Sequence, residues 1–227
     1  LKKRLLADGS YEALPTFEVQ QTSDGLPLQT EYVFDHVLPV VRGIPNPQEY
    51  NRDSSGLHWF EDVANGSITL DAFVGQLTDE QICHTLCGQP NLGVANTCGF
   101  GNIPELGVPN VMTADGPAGV RINRECGIFT TAFPCATQLA CTWDPELTYR
   151  VGEAGAKELK ENNLATWLTP AINIHRSPLC GRNFEYYAED ALLAGVMAAG
   201  MVRGIQSQKV AACVKHFALN NKETNRK

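Results

Sequence analysis

No stretch of the chain approaches a membrane-spanning apolar run, so the sequence offers no transmembrane helix. It also has no basic run: 18 Lys and Arg stand against 25 Asp and Glu, and the net charge is −7. Nucleic acid and anionic membrane surfaces are therefore not expected as partners. There is no Cys-x-x-Cys, and no cysteine in the first third. The eight cysteines, at 83, 87, 98, 126, 135, 141, 180 and 213, are dispersed through a long chain, which predicts reduced, buried thiols rather than a disulfide framework. Reduced thiols point to a cytoplasmic setting, in which the sequon Asn65-Gly66-Ser67 carries no meaning. Cys83 and Cys87 lie one helical turn apart beside His84, but no second ligand pair follows. Helix packing is the expectation there, and neither a metal nor a cofactor is predicted.

An initiator methionine is lacking as well. The chain begins Leu1-Lys-Lys-Arg-Leu-Leu-Ala-Asp8, too short and too soon polar for a signal peptide. It stops at Asn225-Arg226-Lys227 with no closing element. Both ends read as those of a piece of a longer protein. What is present suits a globular chain with a sizeable core: 227 residues, 43% of them hydrophobic and 19% charged, one large domain or one and a half.

Residues 1–60 differ from the rest. Short alternating pieces, Phe17 with Val19 and Tyr32 with Phe34, flank Thr22-Ser-Asp24-Gly25, a hairpin signal. Gly43-Ile-Pro45-Asn-Pro47 then breaks the pattern. This part reads as the β-rich edge of a preceding domain plus a linker, and residues 61–227 as a second unit. That unit opens with helical spacing over Thr69–Leu77. Thr78-Asp-Glu-Gln81 is a capping box, after which Ile82, Leu86 and Cys87 share an apolar face. Gly88–Gly101 reads as a loop. Gly99-Phe-Gly101-Asn-Ile-Pro104 lacks the third glycine of a dinucleotide fingerprint, which excludes that reading.

From Leu106 onward strand, loop and helix alternate. Leu106–Met112 reads as a short buried strand that stops at Asp115, and Gly116-Pro-Ala-Gly119 turns Arg121 back toward that carboxylate. Pro134–Trp143 is a mostly apolar run. Asp144-Pro145 caps a helix to about Asn162, with Leu147, Val151, Ala154 and Leu159 on one side. A strand over Ala165–Ile174 leads into a loop carrying His175, Arg176, Arg182 and Glu185. Glu189-Asp190 opens a helix of small residues, and Val210–Val214 is a third buried strand ending at Lys215-His216. Apolar strands alternating with helices mean a parallel sheet, as a barrel or a doubly wound fold. A full (β/α)8 barrel needs about 250 residues, so the α/β unit is expected to hold the first half of one. Half a barrel leaves an open edge, and the isolated chain is expected to aggregate or pair.

Asp115, Arg121, Arg176, Arg182, Glu185, Lys215 and His216 all fall at strand ends. Charged groups there are paired or functional. Asp115 alone is as readily a turn cap as a ligand contact. Together, one carboxylate among several cations suits a polyhydroxylated ligand or an anion, since Asp accepts O–H donors while Arg, Lys and His donate. The alternative is an ion-pair network that only ties loops together. A metal-dependent hydrolase built on His175 and His216 lacks the short His/carboxylate spacings such sites use.

These stretches resemble glycoside hydrolase family 3 from about Thr69 to Lys227. The carriers are Thr113-Ala-Asp-Gly-Pro-Ala-Gly-Val-Arg121, Thr142-Trp-Asp144, Thr169-Pro-Ala-Ile-Asn-Ile-His-Arg176, Gly181-Arg-Asn-Phe-Glu-Tyr-Tyr-Ala-Glu-Asp190 and Val214-Lys-His-Phe217, in the family's order. The tail Asn220–Arg226 and the long loop before Asp115 are similar to bacterial β-glucosidases in which the barrel follows the other domains. Ala191 replaces the family's proline after Asp190. The resemblance implies a triosephosphate-isomerase-type barrel and retaining release of terminal β-D-glucose. It implies that Asp115, Arg121, Arg182, Lys215 and His216 grip the sugar, with Asp115 taking the hydroxyls farthest from the scissile bond and Arg176 and Glu185 orienting Arg182 and its loop. It also implies that the nucleophilic aspartate and the acid/base glutamate come from later segments and another domain, so this chain alone is expected not to turn over. A non-catalytic carbohydrate-binding homologue is the alternative.

Overall fold

A computed structural model describes residues 3–5, 11–13 and 56–226. The chain divides into two compact units, residues 1–38 and 39–227. In the first, β1 (Lys3–Leu5) pairs antiparallel with β2 (Tyr11–Ala13), with Arg4 opposite Glu12. The hairpin expected at Thr22–Gly25, with its flanking aromatic pieces, lies outside the described residues.

The second unit opens with three short helices, α1 (Phe60–Ala64), α2 (Leu70–Val74) and α3 (Asp79–Thr85). The capping box before α3 forms as the sequence predicts: Gln81 N donates to Thr78 Oγ1 (3.2 Å) and Thr78 N to Gln81 Oε1 (3.0 Å). The apolar face does not. Ile82, Leu86, Cys83 and Cys87 are all exposed. Polar contacts hold α3 instead, His84 Nε2 to the Asn102 carbonyl at 3.0 Å and Gln81 Nε2 to Glu105 at 3.2 Å. Thiol burial departs from expectation throughout, for Cys180 alone of the eight cysteines is buried.

The loop expected up to Gly101 contains a strand. β3 (Phe100–Ile103) pairs antiparallel with β4 (Val108–Val111), Phe100 opposite Val111. β3 turns Phe100 outward and Gly101 inward, the reverse of an apolar-in alternation, so the sequence shows no strand pattern there. The buried run ending at Asp115 is thereby split. Leu106 sits in a 3-10 turn, and the parallel strand proper is β5 (Thr113–Ala114). The apolar run after Pro134 becomes α4 (Ala136–Ala140).

α5 (Pro145–Glu161) starts where Asp144 accepts from Glu146 N (2.9 Å) and Leu147 N (3.0 Å). β6 (Thr166–Trp167) follows, then α6 (Ala191–Ser207), capped by Asp190 through Leu193 N (2.7 Å), and β7 (Ala211–Ala212). The strand order is β5-β6-β7, all parallel, with Thr113 beside Thr166 and Thr166 beside Ala211. A helix thus connects each successive pair of neighbours, the repeat expected of an α/β fold.

Each of these strands is only two residues long, so the packing beneath them positions the loops. Ala114, Leu139, Ala156, Leu159, Trp167, Met201 and Ile205 share one core. Ala154 is exposed, and the buried stripe of α5 runs instead through Val151, Gly152, Gly155, Ala156 and Leu159. The reason is that α5 and α6 meet backbone to backbone. A Cβ added to Gly204 would lie 2.0 Å from the Tyr149 carbonyl oxygen, and one on Gly200 2.4 Å from that of Pro145. Gly155 makes room for the indole of Trp167, whose ring a Cβ would meet at 2.2 Å. Gly204→Ala is accordingly expected to cost roughly 1–3 kcal/mol by overpacking. The thermal midpoint should fall by several degrees, and an unchanged midpoint in differential scanning calorimetry would count against this helix contact.

Candidate functional site

The loops after β5, β6 and β7 converge at the carboxyl ends of the three strands, where α/β proteins place ligand contacts. The first loop is a tight turn. Arg121 N donates to the Asp115 carbonyl (2.8 Å), and Gly116 and Gly119 have φ of 123° and 133°. Neighbours hold the turn from three sides. Asn96 Oδ1 accepts from Asp115 N (3.1 Å), and Trp167 Nε1 donates to the Gly116 carbonyl (2.9 Å). Phe133 N donates to the Ala118 carbonyl (2.9 Å), while Thr131, beside it, is anchored on Glu158 of α5 through its N–H (3.0 Å) and hydroxyl (2.5 Å).

Asp115 Oδ1 accepts from Lys215 Nζ at 2.9 Å, and its Oδ2 from Arg121 at 3.2 Å. Lys215 Nζ also lies 3.3 Å from Glu185 Oε2, and Glu185 Oε1 pairs with Arg182 Nε. Glu185 is 2% exposed. A carboxylate can occupy such a place only with its lone pairs taken, and here Arg182 and Lys215 take one oxygen each. Arg182 reaches onward to His216 Nε2 at 2.6 Å. One continuous network therefore links Arg121, Asp115, Lys215, Glu185, Arg182 and His216, although the backbone separates Asp115 from Lys215 by 100 residues.

The partners of His216 fix its tautomer. A guanidinium only donates, so Nε2 is the acceptor and Nδ1 bears the proton. Nδ1 lies 3.2 Å from the Tyr186 hydroxyl, which in turn donates to the Asn220 carbonyl at 2.9 Å. Asn173 Oδ1 accepts from His216 N at 2.8 Å. Burial pushes the imidazole pKa down and the adjacent Arg182 charge pushes it further, so His216 is held below the ordinary histidine value. For Asp115, burial alone would raise the pKa. The hydrogen bond and charge of Lys215, the Gly116 N–H and the Arg121 charge outweigh it and hold the carboxyl below its usual range. Arg182 is subject to the same opposition: burial disfavours its charge, and its bond to Glu185 more than restores it.

Of the residues the sequence singles out, Asp115, Arg121, Arg182, Glu185, Lys215 and His216 are brought together. Arg176 is not: its side chain is exposed and makes no ion pair among the described residues, and Glu185 is the group that holds Arg182. Sequence reasoning missed Tyr186, Asn173, Asn220 and Glu223. Glu223 lies 4.0 Å from Arg182 and is held by Arg226 at 2.9 Å. Only their positions beside Glu185 and past the ends of β6 and β7 could have flagged them. His175 Nε2 is engaged by the Asn183 carbonyl at 2.9 Å. No cluster of three or more metal-binding side chains occurs among the described residues. The wall left facing outward is rich in donors, with Asp115 as the acceptor at one end. It can hold a ring bearing several hydroxyls through charge-assisted hydrogen bonds.

Residues 102–225 match the glycosyl hydrolase family 3 N terminal domain. The chain is 55% identical to β-glucosidase A of Butyrivibrio fibrisolvens over all of its own length and 28% of that protein. It is 34% identical to a β-glucosidase of Ruminococcus albus, over 96% of this chain and 22% of that one. Among solved structures, a β-glucosidase from Paenibacillus barengoltzii superposes with a TM-score of 0.68 at 33% identity, covering 97% of this chain and 23% of that one. β-Glucosidase 3B from Thermotoga neapolitana in complex with glucose does so with 0.61 at 46% identity, covering 67% and 23%. The chain thus spans about a quarter of the length of these relatives. On the match to its second half and the identity along its whole length, the chain belongs to glycoside hydrolase family 3.

Proposed function

We propose that the protein carrying this chain is a β-glucosidase, which releases β-D-glucose from the non-reducing end of glucosides or gluco-oligosaccharides with retention, and that this chain supplies the grip on the sugar. The observation that carries the reading is the network from Arg121 to His216 across the ends of three parallel strands, in a chain whose relatives bear that name. Asp115 and Arg121 take the hydroxyls farthest from the scissile bond, and Lys215, His216 and Arg182 those nearer the middle of the ring.

Retaining hydrolysis needs two carboxyl groups about 5–5.5 Å apart, one free to attack and one able to give up a proton. Asp115 and Glu185 are close, since both bond Lys215 Nζ, but neither suits these tasks. Asp115 is bound by two cations and held charged, and both oxygens of Glu185 are occupied in a buried place. The nucleophile and the acid/base residue come from other parts of the protein. In this reading β5 to β7 with α5 and α6 are the early part of a barrel, residues 1–60 belong to a preceding domain and linker, and the protein works in the cytoplasm. The apolar side chains of Leu192, Val196, Val214 and Phe217 are exposed. Further barrel strands and helices would cover them.

Asp115→Ala in the whole protein removes an acceptor that makes charge-assisted hydrogen bonds. Two such bonds at roughly 1.5–3 kcal/mol each predict a loss of about 10²- to 10⁴-fold in kcat/KM. Hydrolysis of 4-nitrophenyl β-D-glucoside measures it, and wild-type turnover of this substrate tests the assignment itself. No turnover, or turnover unaffected by Asp115→Ala, would contradict the reading.

A pH effect follows from His216. Its pKa in the folded protein is depressed, so its contribution to stability is complete above the unfolded-chain value of 6.5 and is lost as pH falls through the folded value. The gap in melting midpoint between wild type and His216→Gln should therefore shrink as pH falls from about 7 to about 5. A gap that widens on acidification would mean that the folded protein favours the imidazolium.

A further inference from the structure

A cavity of about 380 Å³ lies between the loops that follow β6 and β7, lined among others by Arg176, Leu179, Cys180, Asn221, Lys222 and Glu223. It borders the sugar grip, because Glu223 lines it and also lies 4.0 Å from Arg182. It stands at the end of the network away from Asp115 and Arg121.

Its lining has a definite chemistry. Arg176 and Lys222 are exposed, and neither makes an ion pair or a side-chain hydrogen bond among the described residues. The carboxylate in the wall, Glu223, is already held by Arg226 through both oxygens, at 3.0 and 2.9 Å. Among the described residues the cavity therefore keeps two positive charges that no carboxylate pairs. Leu179, 92% exposed, offers an apolar flank. A compact group with an anionic edge and an apolar body fits this lining, since guanidinium and ammonium donors both recognise carboxylates.

We infer that this cavity receives the leaving group of the glucoside and favours aglycones that carry a carboxylate, with Lys222 and Arg176 as the groups that recognise the charge. The inference rests on the β-glucosidase reading. That reading puts Asp115 at the end of the sugar remote from the scissile bond, and so puts the cavity where the aglycone emerges. No group in the cavity needs to change protonation or form a bond. Its effect is on selection between substrates.

The test uses the whole protein and two substrates, 4-carboxyphenyl β-D-glucoside and 4-(hydroxymethyl)phenyl β-D-glucoside, and reads the ratio of their kcat/KM values. Comparing that ratio between variants cancels the differing reactivity of the two leaving groups. Lys222→Gln should lower the ratio about threefold and Lys222→Glu about tenfold, in keeping with a partly screened charge contact. The wild-type ratio should also fall as salt is raised. Hydrolysis of both substrates with a ratio unmoved by Lys222→Glu would overturn the aglycone site and leave the glucosidase reading standing. Hydrolysis of neither by wild type would remove both.

Discussion

The arrangement depends on one buried carboxylate. Glu185 is almost sealed from solvent, and a charge in that position is tolerated only while oppositely charged donors surround it. Arg182 and Lys215 do so from two different loops, which ties the loop after β6 to the loop after β7. Lys215 then has a further contact to offer, and Asp115 takes it, bringing in the loop after β5. Three segments far apart in sequence are thus held in register by charges whose separation would leave a buried ion unpaired. Continuum reasoning makes such pairs poor sources of net stability compared with apolar side chains. Their presence here is better explained by what they present: a rigid row of donors, and an Asp115 that stays charged.

The scaffold beneath is economical. Strands of two residues cannot hold long loops by themselves, so the helices do more of the positioning. α5 and α6 approach until backbone touches side-chain-free backbone at Gly200 and Gly204, and Gly155 lets Trp167 sink against α5. The indole N–H of Trp167 then holds the Gly116 carbonyl. Glu158, from the same helix, anchors the segment at Thr131 that borders the turn. A small-residue stripe in α6 that looks featureless in sequence is therefore connected to the placing of Asp115 and Arg121.

Sequence legibility follows from this physics. Asp144, Asp190 and Thr78 were readable as helix caps because a cap is a local hydrogen bond between residues two or three apart. Asp115, Lys215 and His216 were readable because charge at the end of an apolar strand is rare, and Arg121, Arg182 and Glu185 because they stand in the motifs that carry the family resemblance. The β3–β4 hairpin was not, because β3 turns Phe100 outward and Gly101 inward, against the apolar-in alternation that marks strands. The apolar face of α3 failed for a related reason: periodicity records which side chains could be buried together, not whether a partner surface meets them. Arg176 looked like a member of the cluster on spacing alone, whereas Tyr186, Asn173 and Asn220 joined it through contacts of 30 to 43 residues' separation that no local pattern encodes.

A structure of the whole protein soaked with glucose tests the central claim most directly. The account predicts a glucose ring with its hydroxyls within hydrogen-bonding distance of the Asp115 carboxylate, Lys215 Nζ, Arg182 and His216, while Glu185 keeps both of its cations. Glucose bound elsewhere at saturation, with the network closed on itself and no sugar against Asp115, would contradict it and leave the cluster as a device that only holds loops together.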